Sequence, residues 1–196
     1  VLNTVPTLAS ASITPTNPTV EDTLACVPFG WFDPDNGVES YVFNWTINAS
    51  PVSGTATGEL PLSSYSAGDV AQCTVAPSDG QDQGGSVASA SVTVLNAPPT
   101  LSNFALDNLA PYRADVITLS YSAADADGDA FTEQLDWQVN GSSVANSGLS
   151  FDLAASLPGD EVQAVLTVSD SSQTISYSSD IAIVQNFVPV IDSASL

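Results

Sequence analysis

The sequence predicts an all-β protein that consists of two tandem β-sandwich domains of about seven strands each. Three observations predict this fold. A junction segment occurs three times along the chain, apolar and polar residues alternate between the junctions, and clusters of turn-forming residues separate the alternating segments. The chain has 196 residues, of which 43% are hydrophobic, so it is long and apolar enough to fill two domain cores.

The junction segment defines the repeats. Its three copies carry the prolines Pro6, Pro99 and Pro189, which are 93 and 90 residues apart. Repetition at a fixed period is typical of domain arrays, so we expect the chain to be a window from a longer array. The copies cover residues 1–8, 94–101 and 184–191.

These junctions give the domain boundaries that we expect. Residues 1–96 form the first repeat and residues 97–186 form the second. Residues 187–196 are either the first strand of a further repeat or a donor strand that completes a neighbour's sheet. Between the junctions the two repeats align without gaps over two blocks, 33–50 with 125–142 and 58–80 with 149–171.

The strands follow from the alternation. In the first repeat Tyr41, Phe43, Trp45 and Ile47 alternate with polar residues, and the aligned segment 135–139 does the same. This period of two is the pattern of a half-buried strand. The strands expected in the first repeat cover residues 7–14, 21–29, 39–48, 57–62, 70–77 and 85–95, with a short or missing strand near 52–55.

The charge balance restricts the function. The chain has 22 acidic residues, one basic residue, Arg113, and no histidine, which gives a net charge of −21. Nucleic acid is excluded as a partner because phosphate binding requires basic side chains. Since one arginine cannot neutralise these carboxylates, they must be solvated or bind cations.

Cysteine content indicates an extracellular or cell-surface location. The two cysteines, Cys26 and Cys73, have no histidine to complete a metal site, so a disulfide is the better interpretation. Disulfides persist in oxidising compartments. No apolar run is long enough to cross a bilayer, so we expect no transmembrane segment.

Cys26, Trp45 and Cys73 resemble the Cys…Trp…Cys core of immunoglobulin-like domains. The resemblance implies that both cysteines lie in facing sheets and that Trp45 packs against their bridge. The second repeat has apolar residues, Leu119 and Ala164, at the aligned positions. A position that holds a cysteine pair in one repeat and an apolar pair in the other belongs to the core.

Acidic loops are the chemically informative segments. Carboxylates at alternate positions of a tight loop can converge on one point, and Ca²⁺ requires six to eight oxygen ligands, so each loop supplies about half a site. We therefore expect Ca²⁺ as a cofactor. The candidate ligands are Asp125, Asp127, Asp129, Asp170 and Asn96 in one site, and Asp33, Asp35, Glu39 and Asp79 in the other.

These loops also carry a family resemblance. The order Asp-x-Asp-x-Asp, then Trp-x-Val-Asn-Gly, then Ser-Asp resembles that of tandem domains in bacterial and archaeal surface proteins of the cadherin-like and polycystic-kidney-disease-like types, many of which bind calcium. The resemblance implies that both acidic loops lie at the N-terminal end of each domain. Ca²⁺ would then stiffen each junction, opposite Glu21, Asp22 and Asp69 of the preceding domain.

An enzyme is not expected. Without histidine or lysine, a Ser–His pair, a lysine nucleophile and a histidine-bound zinc are all impossible. The paired carboxylates occur in turns that are repeated in both domains, which favours a structural role. Three sequons, at Asn44, Asn48 and Asn140, are possible glycosylation sites.

We therefore predict a structural or adhesive segment of an extracellular array, such as a cell-surface stalk, adhesin or filament, whose partners are neighbouring repeats. One alternative is a module that binds a glycan or a surface protein through Trp31, Phe32 and Tyr112. Another is a self-assembling fibre subunit joined by strand donation.

Overall fold

The structure is a computed structural model that describes residues 2–53 and 57–189. It divides into two compact units, Val1–Ala97 (unit 1) and Pro98–Leu196 (unit 2). Each unit is built from antiparallel strands in two sheets. The one helical segment in the described parts of the chain is a single 3-10 turn, Leu62–Ser64.

Unit 1 is a sandwich of a three-stranded and a five-stranded sheet. The first sheet has the order β1-β2-β5, and the second has the order β4-β3-β6-β7, with β8 also paired to β6. Alternate residues of each strand face inwards, as the period of two requires. The strands are β1 (Ser10–Thr14), β2 (Leu24–Phe29), β3 (Ser40–Ile47), β4 (Ser50–Val52), β5 (Glu59–Leu60), β6 (Val70–Ser78), β7 (Val87–Ala88) and β8 (Val92–Thr93).

Unit 2 repeats this topology. Its sheets have the orders β13-β10-β9 and β12-β11-β14-β15, with β16 also paired to β14. The strands are β9 (Thr100–Leu106), β10 (Val116–Ala124), β11 (Thr132–Val139), β12 (Ser142–Val144), β13 (Ser150–Asp152), β14 (Glu161–Ser169), β15 (Thr174–Ser178) and β16 (Ala182–Ile183).

The core of unit 1 is centred on Trp45 and a disulfide. Cys26 of β2 is bonded to Cys73 of β6 across the two sheets, which confirms the predicted bridge. Trp45 is 1% exposed and stands opposite Cys73 in the β3–β6 register. Unit 2 has Trp137 opposite Ala164 in the same register.

Leu119 takes the place of Cys26 in unit 2. The backbone N–H of Cys26 donates to the carbonyl of Gly58, and the N–H of Leu119 donates to the carbonyl of Leu149 in the same way. Leu119 is 1% exposed, so the two positions are equivalent core positions. Apolar packing fills in unit 2 the space that the bridge fills in unit 1.

A buried serine interrupts the last strand of each unit at the same point. In unit 1 the Ser89 hydroxyl accepts the N–H of Cys73 at 3.1 Å, and the Ser89 N–H donates to the Cys73 carbonyl. Ser179 makes both bonds with Ala164 in unit 2. In each unit the serine hydroxyl thus accepts the N–H that a backbone carbonyl of the neighbouring strand would otherwise accept. This interruption separates β7 from β8 in unit 1 and β15 from β16 in unit 2.

The predicted all-β fold of two tandem immunoglobulin-like sandwiches is confirmed. The short strand expected near 52–55 is β4, and it pairs with the end of β3. Leu62, which aligns with the buried Leu153, is instead 44% exposed because it begins the 3-10 turn, and Tyr65 is buried after that turn. Of the expected final strand, residues 190–196 lie outside the described residues. No helix of sufficient length and apolarity to cross a membrane occurs in the segments 2–53 and 57–189.

Candidate functional site

The loop between β2 and β3 folds around the carboxylate of Asp33. This side chain is only 7% exposed. Its Oδ1 accepts the N–H of Asp35 at 3.0 Å, and its Oδ2 accepts the N–H of Gly37 at 2.7 Å. Asp33 therefore organises the loop from inside, in the way that aspartate commonly stabilises turns.

The loop after β6 is organised by Asp79 in the same way. Asp79 is 5% exposed, and its Oδ1 accepts the N–H groups of Gln81 and Asp82, both at 2.7 Å. The two acidic loops meet at Gly37. A Cβ atom at Gly37 would lie 2.5 Å from Asp33 Oδ2 and 2.7 Å from Asp79 Cβ, so only glycine fits between the two aspartates.

The N-terminal segment of unit 1 is bonded to both loops. The side-chain amide of Asn3 donates to Asp79 Oδ2 at 2.8 Å and to Asp82 Oδ2 at 2.9 Å. The N–H of Thr4 donates to Asp35 Oδ2 at 2.5 Å. The structure thus brings Asp35, Asp79 and the N-terminal segment to the same end of unit 1. We call this group of contacts the linker clamp.

The linker clamp extends to Pro6 and Thr7. Thr7 exchanges backbone hydrogen bonds with Phe32, at 2.8 and 3.0 Å. The Pro6 carbonyl lies so close to Gly84 that a Cβ atom there would be 2.0 Å away. The segment 3–7 therefore packs on unit 1 through side-chain, backbone and van der Waals contacts together.

Hydrogen bonding keeps Asp79 ionised. The backbone N–H of Asp82, the Asn3 amide and the N–H of Gln81 lower the pKa of Asp79 below its ordinary value of 3.8, the Asp82 bond contributing most. These donors favour the charged carboxylate because each stabilises the anion more than the neutral acid. The site is thus anionic at neutral pH.

Unit 2 repeats the acidic loop around Asp125. Asp125 Oδ1 accepts the N–H groups of Asp127 at 2.9 Å and Asp129 at 3.2 Å. Asp125 Oδ2 is buried and has no hydrogen-bond partner within the described residues. Asp170 Oδ1 accepts N–H groups of its own turn, including that of Ser172 at 2.7 Å.

Two predicted metal ligands have other partners. Glu39 accepts a hydrogen bond from the Tyr41 hydroxyl, and burial of Tyr41 together with this bond raises the tyrosine pKa to about 12. Asn96 lies in unit 1, where its amide donates to the Ala97 carbonyl at 2.9 Å. Within residues 2–53 and 57–189, no three acidic or cysteine side chains are arranged closely enough to hold a metal ion.

Two of the sequon asparagines have a structural role that the sequence did not reveal. Asn48 donates from its amide to Asp69 at 2.7 Å and accepts the N–H of Val70, and Asn140 does the same with Asp160 and Glu161. Both asparagines have a φ of 50°. The repeated Asn-x-Ser sequence therefore serves a left-handed turn. The third sequon residue, which is exposed on β3, is Asn44.

The acids expected at the opposite end of the first domain bind their own backbone. Asp22 accepts the N–H of Thr19 at 2.8 Å, and Asp69 accepts the N–H of Ser66 at 2.8 Å. Glu21 is exposed. The one basic side chain, Arg113, donates from Nε to the Ala154 carbonyl at 3.2 Å.

The three aromatic residues that were predicted to form a binding surface lie in different environments. The Trp31 ring packs edge-on against Tyr41, with ring centroids 5.8 Å apart. Phe32 is 63% exposed. Tyr112 stacks on Phe187, with centroids 4.6 Å apart.

No family model matches this chain, and no curated protein matches it. It is similar to the FN1–FN3 domains of chicken CNTN1, with 12% identity, 92% of this chain and 67% of that chain covered, and a TM-score of 0.34. It is also similar to titin domains z1z2 in complex with telethonin, with 12% identity, 96% and 100% coverage, and a TM-score of 0.35.

A third similar structure contains the three N-terminal domains of the bacteriophage RB49 Highly Immunogenic Outer Capsid protein, with 14% identity and a TM-score of 0.39. The match covers 87% of this chain and 57% of that one.

Proposed function

We propose that this chain is a non-enzymatic structural or adhesive segment of an extracellular array of immunoglobulin-like domains. The observation that carries the proposal is that the same side-chain hydrogen bonds occur at equivalent positions of both units. Ser89 and Ser179 interrupt the last strands, and Asn48 and Asn140 fasten the turns after β3 and β11, at equivalent positions of the two units. A scaffold repeated in this detail is suited to bearing load or spacing other groups.

The linker clamp supports the same role. A segment bonded to Asp35, Asp79 and Asp82 has less freedom than an open linker, so the direction in which the chain enters unit 1 is restricted. The disulfide supports an oxidising location. Each sandwich also contains its own first strand, β1 or β9. This favours domains that follow one another in one polypeptide over subunits that are joined by strand donation.

Single-molecule stretching of the chain tests the proposal. We expect two separate unfolding events, one for each unit, and refolding after relaxation. The oxidised bridge closes a loop with a sequence separation of 47 that cannot extend, so its reduction should lengthen the unit 1 event by about 160 Å. A single merged event, or unfolding without measurable resistance, would contradict a load-bearing role.

We further propose that the acidic ends of the units bind Ca²⁺. The donors are carboxylate oxygens, which Ca²⁺ prefers, and the buried Asp125 Oδ2 has a free acceptor position within the described part of unit 2. Asp127 and Asp129 follow on the same loop. Their side chains would have to move towards the ion, because no three acidic side chains within residues 2–53 and 57–189 already lie close enough to hold one. In unit 1, Asp33 and Asp79 would hold the ion only after some of their backbone bonds lengthen, so the Asp125 loop is the better candidate.

Calorimetry and thermal unfolding with Ca²⁺ against chelator test this second proposal. We expect a higher melting temperature with Ca²⁺, because an ion that binds only the folded state stabilises it. The Asp125→Asn variant should lose most of the shift, whereas Asp180→Asn, which removes one exposed charge elsewhere, should keep it. No shift in the parent protein would contradict the proposal.

A binding module is the second candidate function. Two exposed rings favour it, Phe29 at 74% and Phe32 at 63% exposure, both near the end of β2. Exposed aromatic rings often mark recognition surfaces. Binding to a panel of glycans that is lost in Phe32→Ser would support this candidate over a purely structural role.

A further inference from the structure

Unit 2 has a cleft on one open side of its sandwich. β12 is an edge strand of one sheet and β13 is an edge strand of the other, and the two are not paired. Between them lies a cavity of about 450 Å³, which we call the β12–β13 cleft. Its lining includes Val144 at the end of β12, residues 145–146 that follow it, and residues 155–156 that follow β13.

The floor of the β12–β13 cleft is apolar. Val139 and Phe151 come from the two facing sheets, and Phe151 is a core residue with 6% exposure. Val144, Ala145 and Ala155 form the walls. An aliphatic chain can therefore enter the cleft and lose contact with water, which is favourable.

The rim of the β12–β13 cleft carries acceptors for a cation. Asp152 and Asp160 both line it. The N–H of Leu157, followed by the amide of Asn140, lowers the pKa of Asp160 below its ordinary value of 3.8, so this carboxylate is ionised at neutral pH. Asp152 accepts the N–H of Ala154, and Asp160 accepts the Asn140 amide and the N–H of Leu157. A carboxylate has about four acceptor positions, so each can still accept hydrogen bonds from a ligand.

The hydroxyl of a largely buried serine provides a third acceptor. Ser156 lines the β12–β13 cleft and is 6% exposed. Its backbone N–H donates to the Leu153 carbonyl, which fixes the residue in the turn after β13. A hydroxyl oxygen has two acceptor lone pairs, so it can accept a hydrogen bond from a cationic ligand in the cleft.

We propose that the β12–β13 cleft binds the side chain of a lysine that another protein supplies. The aliphatic stem of lysine matches the apolar floor, and its ammonium group has three donors that can bond to acceptors among the lining residues Asp152, Ser156 and Asp160. None of the 196 residues is a lysine, so the ligand does not come from within them. The net charge of −21 favours the approach of a basic partner. The inference is independent of the load-bearing function.

An NMR titration of the full chain with the blocked peptide Gly-Lys-Gly tests the proposal. We expect amide shifts concentrated at residues 139, 144–146, 151–152 and 155–160, with a dissociation constant on the order of 1 mM. The same peptide with norleucine keeps the aliphatic stem without the charge, and acetyl-lysine keeps the length without the charge. Both should bind at least about tenfold more weakly.

Three variants locate the binding. Asp152→Asn removes one rim charge and should weaken binding about fivefold. Ala155→Leu fills the cleft and should abolish the localised shifts. The matched control Asp180→Asn has the same change in net charge at an exposed position and should bind like the parent.

Several outcomes would overturn the proposal. Shifts spread over the acidic surface, equal weakening in Asp152→Asn and Asp180→Asn, or unchanged binding in Ala155→Leu would each assign the interaction to non-specific attraction. The blocked peptide Gly-Arg-Gly is titrated for comparison. If it binds more tightly than Gly-Lys-Gly, the assignment to lysine is overturned, since a guanidinium presents five donors in a rigid fork. The fold of each variant is checked by the near-ultraviolet signal of the buried Trp137.

Discussion

The side-chain amide of Asn3 donates a hydrogen bond of 2.8 Å to the carboxylate of Asp79, a residue 76 positions later in the chain. This one bond joins the entry to unit 1 with the loop that follows β6. Because Asp79 also holds the N–H groups of Gln81 and Asp82, the entry segment and the loop are ordered by the same carboxylate.

Asp79 should make the stability of unit 1 depend on acid. Its folded pKa is lowered, so its contribution is fully present above the ordinary value of 3.8 and is lost as the pH falls through the folded pKa. We expect Asp79→Asn to lower the melting temperature at neutral pH, and the difference from the parent to shrink towards zero well below pH 3.8. Melting curves of both proteins across this range, with Asp180→Asn as the control, measure the effect. A difference in melting temperature that persists in acid would show that the substitution acts through the geometry of the Asp79 side chain and not through its charge.

Gly84 should be required for the linker clamp. In Gly84→Ala the new Cβ would lie 2.0 Å from the Pro6 carbonyl, so the segment 3–7 must move. We expect the Thr7 amide, which donates to Phe32, to lose protection from hydrogen exchange. Gly85→Ala is the matched control, because its Cβ has nothing within 4 Å. Equal protection of Thr7 in both variants would contradict the role of the clamp.

The cysteine pair should be replaceable by the pair found in unit 2. Reduction of Cys26–Cys73 should destabilise unit 1 by about 4 kcal/mol, since the bridge closes a loop of 47 residues. The double variant Cys26→Leu with Cys73→Ala copies Leu119 and Ala164 and should be more stable than the reduced protein. Denaturant unfolding followed by tryptophan fluorescence, in a Trp137→Phe background, reports on unit 1 alone. A double variant less stable than the reduced protein would show that the two cores are not equivalent.

The contribution of Asn140 to the stability of unit 2 should depend on both its side-chain amide and its backbone conformation. Asn140→Ala loses the bonds to Asp160 and Glu161 and also forces alanine to a φ of 50°. Asn140→Gly loses the same bonds without that strain. We expect alanine to cost about 1 kcal/mol more than glycine, which thermal unfolding of unit 2 measures. Equal costs would assign the effect to the side chain alone.

Most of the fold was predictable because its signals are local. The alternation around Trp45 and Trp137, the cysteine pair and the repeated junctions indicate strands and sandwiches without knowledge of distant contacts. The acidic loops were also recognisable, since aspartate and glycine at alternate positions favour tight turns.

The details of the site were not predictable, because they depend on which donors come close in space. The sequence does not show that Asp33 and Asp79 are buried and turned towards backbone N–H groups. It also does not distinguish Asn48 as a sequon from Asn48 as a turn residue bonded to Asp69. The serine that divides the last strand has no local signal, since its role depends on its partner in β6 or β14.

Arg113 has one further consequence for a chain without lysine. Proteases that cut after basic residues have a single cleavage position in the whole sequence, and the arginine there is bonded to the Ala154 carbonyl. These residues therefore offer trypsin-like proteases very little to cut. In the presence of such enzymes they should stay intact under conditions in which a sandwich of the same fold with lysines in its loops would be cleaved there.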